Sequence, residues 1–202
     1  MPEDTMTGPL SAREAHLRLL MLMSGRVSDD QLDVSWGPMM GGEDDFALTN
    51  LIAGLIHEGV PITEHEAELL HIAADGEDID TDGVEIVPDG PQAAYYTFTP
   101  EGPDAPDDLD AAITTWAAGR KDVPWIGRTR RVAPHQDPGD PDTWVYVVRL
   151  APDGNPPVIR GTIKTLMYGT GTDYPVEVFT RRQWLPPYQK AALAAAIELP
   201  AT

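Results

Sequence analysis

The chain has 202 residues and a formal charge of −19, from 33 Asp/Glu against 14 Lys/Arg, with 20 prolines, 18 glycines and no cysteine. Hydrophobic residues at 42% and charged residues at 23% lie near the globular average, which excludes wholesale disorder and leaves room for one large or two small domains. The lack of cysteine excludes a disulfide scaffold, a thiolate metal site and a cysteine nucleophile.

Ser11-Ala12-Arg13-Glu14 has the form of a capping box and predicts a helix through the apolar run Leu17 to Met23. Ser28-Asp29-Asp30-Gln31 repeats the pattern and opens a short helix that Gly37-Pro38 should stop. Between Asp44 and His57, the residues Leu48, Leu51, Ile52, Leu55 and Ile56 recur at helical spacing, and Gly59 ends the segment. Thr63-Glu64-His65-Glu66 is a third capping box, with Leu70, Ala73 and Ala74 sharing one face of the helix that follows. The short link between these last two helices predicts that they pair as an antiparallel αα-hairpin.

From Asp75 to Pro91 the chain is acidic and turn-rich, the place for a boundary or hinge. Short strands are expected at 84–87 and 95–98, and a helix at 109–118. A strand at 144–150, a helix from Asn155-Pro156-Pro157 to Gly169, a strand at 176–179 and a last helix at 188–197 follow, and 128–132 adds a further strand. Strand–helix–strand order implies a βαβ crossover with parallel strands. The expected fold is α+β, with α/β as its variant: a helical acidic part at 1–75 carrying the αα-hairpin, a connecting region at 76–108, and an α/β part at 109–202.

No basic stretch precedes an apolar run at the N-terminus, and Leu19 to Met23 is far shorter than the roughly 18 apolar residues of a membrane span. The expectation is a soluble cytoplasmic protein. Only Lys121, Lys164 and Lys190 are lysines, a composition that suits a high-GC, actinobacterial-like genome and equally a halophile's surface.

Charge is unevenly spread. Residues 1–110 hold 25 carboxylates and three arginines, a net of −22, whereas 111–202 carry a net of +3. No Lys or Arg lies between Val27 and Gly119, an interval with 22 carboxylates. Such density repels itself. Relief is expected from the C-terminal half, a bound cation, high salt or a basic partner. Contact with nucleic acid through this face is disfavoured, because phosphates are bound by cations.

Several constellations carry chemistry in principle. Asp78-Ile79-Asp80-Thr81-Asp82-Gly83 resembles the opening of an EF-hand calcium loop, in which alternate carboxylates and a glycine turn converge on Ca²⁺. Asp78, Asp80 and Asp82 would be the metal ligands; Glu85 and Asp89 depart from the residues such a loop carries there. Glu68-Leu69-Leu70-His71 is one E-x-x-H unit, but a di-iron site needs two. Gly169-Thr170-Gly171 follows a helix rather than a strand, so it is no dinucleotide loop. Arg128-Thr129-Arg130-Arg131 is the one basic patch; with Arg181-Arg182 it suits phosphate or RNA, but a chain of net charge −19 favours its own acidic N-terminal half as the partner.

The leading expectation is a non-enzymatic acidic interaction protein that binds a basic protein partner, with Glu58, Glu64, Glu66 and Glu68 as exposed contacts beside Asp75 and Glu77. The alternative is a small βαβ-type enzyme or ligand-binding protein that holds an anionic ligand near Arg181 and Arg182, with Asp153 and Asn155 at the neighbouring strand end.

Overall fold

The computed structural model describes residues 9–77, 80–90, 96–133, 142–180 and 184–200, and the chain divides into two units, Met1–Ala93 and Ala94–Thr202. It is an α+β protein, with helices in both units and a mixed sheet in the second. Among the described residues, no helix is long and apolar enough to cross a membrane.

The first unit contains α1 (Ala12–Met23), α2 (Asp29–Gly41), α3 (Asp44–Glu58), β1 (Ile62–Thr63), α4 (Glu64–Ala73) and β2 (Ile86–Val87). Its core is an apolar cluster of Leu19, Leu20 and Met23 from α1, Leu32 and Trp36 from α2, Leu48, Leu51 and Leu55 from α3, and Leu69 and Leu70 from α4. Each buried leucine contributes about 2 kcal/mol through apolar area removed from water. The capping boxes at Ser11 and Thr63 are both closed by reciprocal hydrogen bonds. Gly59, at φ 64°, ends α3 in the left-handed conformation, and Val60 N–H donates back to Leu55 O at 2.9 Å.

Three expectations for this unit are corrected by the structure. Gly37-Pro38 does not stop α2, which runs on to Gly41 with Pro38 inside it. Proline removes the N–H that would serve the carbonyl of Val34. Asn50 of α3 replaces it, its Nδ2 donating to Val34 O at 3.2 Å, while Gln31 Nε2 donates to Asn50 O at 2.8 Å. The helix pairing also differs. The antiparallel pair is α2 with α3, and α4 packs on α1 rather than on α3. The link between α3 and α4 is drawn out as β1, which pairs in parallel with β2. Residues 86–89 thereby return to the start of α4, where Asp89 Oδ1 accepts from His65 N–H at 3.1 Å. Ile56, expected on the buried face, is 42% exposed.

The second unit contains β3 (Thr97–Thr99), α5 (Asp107–Ala117), β4 (Trp125–Val132), β5 (Thr143–Leu150), α6 (Pro156–Thr170), β6 (Val176–Thr180), α7 (Pro187–Ala195) and β7 (Ile197–Glu198). The sheet order is β3-β4-β5-β6, and β7 also pairs with β4. β5 and β6 are parallel, joined by α6 as the crossover. Side chains alternate across a strand. Tyr146, Val148, Leu150, Val176 and Val178 join Leu109, Ile113, Ile159 and Ile163 in one core beneath α5 and α6. The opposite face carries Arg131 and Glu177, which meet Tyr188 and Gln189 of α7. Helix α6 closes on Gly171 at φ 71° rather than on Gly169. The last helix ends at Ala195, because residues 197–198 extend as β7 along β4.

Candidate functional site

The acidic residues of the helical unit fall into two classes. Glu66 is buried, at 1% exposed. It accepts Thr63 N–H in the capping box and pairs with Arg26 Nη1 at 2.5 Å, while Arg26 Nη2 donates to Pro61 O. Glu66 is therefore not the exposed contact expected from its place in an acidic run. Its partner sits 40 residues upstream, outside any local window. Arg13 likewise reaches Asp44 at 2.6 Å and Met39 O at 3.1 Å. Relief of the acidic interval thus begins with the upstream arginines, a source the expectation omitted. Glu58 is exposed but engaged, accepting Ser28 N–H at 2.8 Å and Ser28 Oγ at 2.5 Å and so steadying the start of α2.

Glu64, Glu68, Asp75 and Glu77 belong to the other class. All four are exposed, on α4 and the turn after it. Glu68 has His65 at 3.9 Å, an ion pair only when the imidazole is protonated. Asp75 sits at φ 50°, a left-handed conformation that aspartate tolerates better than most residues. Of the calcium-loop residues, Asp80 and Asp82 are exposed, and Asp80 Oδ1 accepts Asp82 N–H at 2.9 Å. Asp78 lies outside the described residues, among which no cluster of three metal-ligating side chains occurs.

The sheet unit handles charge differently. Arg128 forms an ion pair with Asp110 and lies near Asp107 at 3.8 Å, and its guanidinium stacks 4.9 Å from the Trp144 ring. Tyr146 donates to the other oxygen of Asp110 at 2.6 Å. Burial raises the Asp110 pKa, against the opposing pull of the Tyr146 hydroxyl and of Arg128. Burial and the adjacent carboxylate push the Tyr146 phenol far above its ordinary value, so it remains a donor. With both carboxylate oxygens occupied, Asp110 is a joint between α5 and the sheet rather than a base. The sequence signal for this joint is Tyr146 itself, a hydroxyl on an otherwise apolar strand face that must find a partner.

The remaining basic patch is also engaged. Arg130 pairs with Asp142 at 2.9 Å, and Arg131 is buried over Tyr96 and beside Tyr188. At the proposed ligand end of β5 and β6, Asn155 caps α6 through Val158 N–H, and Asp153 is exposed. Arg181 and Arg182 lie outside the described residues. His16, absent from every motif, is 1% exposed inside the helical core, with Nε2 lacking a hydrogen-bond partner among the described residues. Burial pushes its pKa down to about 4, with Asp44 pulling the other way. Its position one turn before Leu19 and Leu20 on the apolar face was the available signal.

No protein-family model, curated protein or solved structure matches this chain.

Proposed function

We propose that the chain is a non-enzymatic interaction protein whose acidic helical unit docks a basic protein, in the manner of an immunity protein, an inhibitor or an assembly subunit. The observation that carries this reading is the group Glu64, Glu68, Asp75 and Glu77, exposed and without a Lys or Arg partner among the described residues. The first unit, residues 1–93, holds 20 carboxylates against three arginines, a net of −17. Arg13 and Arg26 are taken up by Asp44 and Glu66. A basic partner relieves the residual repulsion, and complementary charge speeds and selects the encounter more than it sets affinity. A cytoplasmic setting accords with the lack of cysteine.

The test is an affinity pull-down from the source cell at low and moderate salt, with a Glu64→Lys/Glu68→Lys variant alongside. A basic protein retained at low salt, shed as salt rises and missed by the variant supports the reading. A partner held equally by both chains and indifferent to salt counts against it.

One observation favours a second reading. The parallel β5–α6–β6 unit brings residues 151–155 and Thr180 to the carboxyl ends of adjacent strands, where open sheets bind ligands. An anionic ligand bound through Arg181 and Arg182 would lose affinity in an Arg181→Ala/Arg182→Ala variant, measured by calorimetry with phosphate; no phosphate binding by the parent chain would remove this reading.

A further inference from the structure

Two large apolar side chains stand exposed on the α2–α3 pair, in a unit with a large negative surplus. Val34 of α2 is 55% exposed and Phe46 of α3 is 56% exposed. Asn50 ties the two helices together at Val34, and the antiparallel pairing sets Pro38, one turn beyond Val34, level with Phe46, one turn before Asn50. Along α3 the same stripe continues through Thr49, Asn50 and Ala53, with no carboxylate in it. Large apolar side chains grouped in this way on a surface mark an interaction site more often than scattered ones do. Exposed carboxylates border the patch: Asp30 at the start of α2, Glu43 at the N-cap of α3 and Asp45 in its first turn. No lysine or arginine occurs anywhere in α2, α3 or their connection.

We infer that this face, centred on Val34, Pro38 and Phe46, is the anchor of the docking site, and that its occupant is a basic amphipathic segment of a partner protein. The inference rests on the interaction reading above and specifies its contact surface. Charge complementarity selects the occupant. An apolar centre rimmed by carboxylates matches a helix with an apolar row flanked by lysine or arginine, and it repels a second copy of this acidic chain. Aromatic anchors at the centre of such a patch carry most of the binding energy, with the charged rim governing rate and salt response.

The experiment uses the full chain and two labelled probes of equal charge, a helical Leu/Lys peptide and a shorter oligolysine with the same number of lysines, followed by fluorescence anisotropy. The Leu/Lys peptide is expected to bind about tenfold more tightly than oligolysine, and Phe46→Ser to abolish that difference while leaving oligolysine binding unchanged. Because Phe46 is exposed, the variant should fold, which circular dichroism checks. A Glu43→Gln/Asp45→Asn variant should weaken both probes alike. Equal binding of both probes, unaltered by Phe46→Ser, would overturn the anchor and leave the acidic reading standing. Failure of both probes to bind at low salt would overturn the acidic reading itself. A chain that runs as a dimer in size exclusion, and that Phe46→Ser converts to a monomer, would overturn the choice of occupant.

Discussion

The two units of this chain treat charge in opposite ways. The helical unit holds a large negative surplus and, among its described residues, admits few ionisable groups to its interior: Glu66, matched by Arg26, and His16, held neutral. The sheet unit is nearly balanced, yet it buries Arg131, Arg160, Lys164 and Glu177 and closes a half-buried Arg128–Asp110–Tyr146 joint. Lys164 pairs with Asp173 and donates to Tyr174 O, and Arg160 donates to Val176 O, so that α6 is tied to the start of β6 by charge as well as by packing. Apart from the Arg26–Glu66 pair, charge is mainly a surface property in the first unit, and it is a structural tether in the second.

That contrast breaks down or sharpens under four measurements. The largest effect is expected from Arg128→Met, which leaves Asp110 buried beside a phenol with no cation; a loss of about 3 kcal/mol in urea unfolding of the sheet unit is predicted, whereas Glu68→Gln in the helical unit should stay within about 0.5 kcal/mol. Similar losses from both would erase the distinction. Arg26→Met should cost about 3 kcal/mol, because Glu66 is left buried and unpaired, while Arg13→Met, whose pair is about one-third exposed, should cost less than about 1 kcal/mol.

Acid should act through His16. Its folded pKa is depressed to about 4 from 6.5, so its contribution is complete above pH 6.5 and declines as pH falls toward 4. At pH 5 the loss is about 2 kcal/mol at roughly 1.4 kcal/mol per unit. A His16→Leu chain should lack that slope, and a slope that persists in it would assign the acid response to the carboxylates. The smallest effect is expected at Asn50. Asn50→Ala should cost about 1 kcal/mol by opening Val34 O, and Pro38→Ala should make the loss vanish by restoring the backbone donor, a coupling read by a double-mutant cycle.

What the sequence reveals of this molecule follows from the range of the interactions. The capping boxes at Ser11 and Thr63, the α3 stripe and the β5–α6–β6 order are legible because their determinants lie within a few residues of each other. Pro38 reads as a stop because Asn50, which compensates it, is on another helix. Glu66 reads as surface because Arg26 meets it only after folding. Of the candidate contact residues, the exposed set on α4 and the turn after it is legible from charge alone, whereas the exposed apolar residues of α2–α3 come together only once the two helices are paired.

The edge of β4 has a consequence for the order of assembly. It is covered by two short pieces laid end to end in the same direction, β3 opposite residues 130–132 and β7 opposite residues 127–128. Leu199 N–H extends the second piece by donating to Ile126 O at 3.0 Å. Thr99 and Ile197 are thus consecutive along one edge although nearly a hundred residues separate them in the chain. On a ribosome, the contacts of the helical unit are available once residue 93 has emerged, but this edge stays open until residue 199 has followed. Long-range pairing of this kind slows folding, and an open edge invites pairing with other chains. The sheet unit therefore passes through its most aggregation-prone interval after the acidic helical unit has been made, and the charge of that unit opposes contact between neighbouring chains.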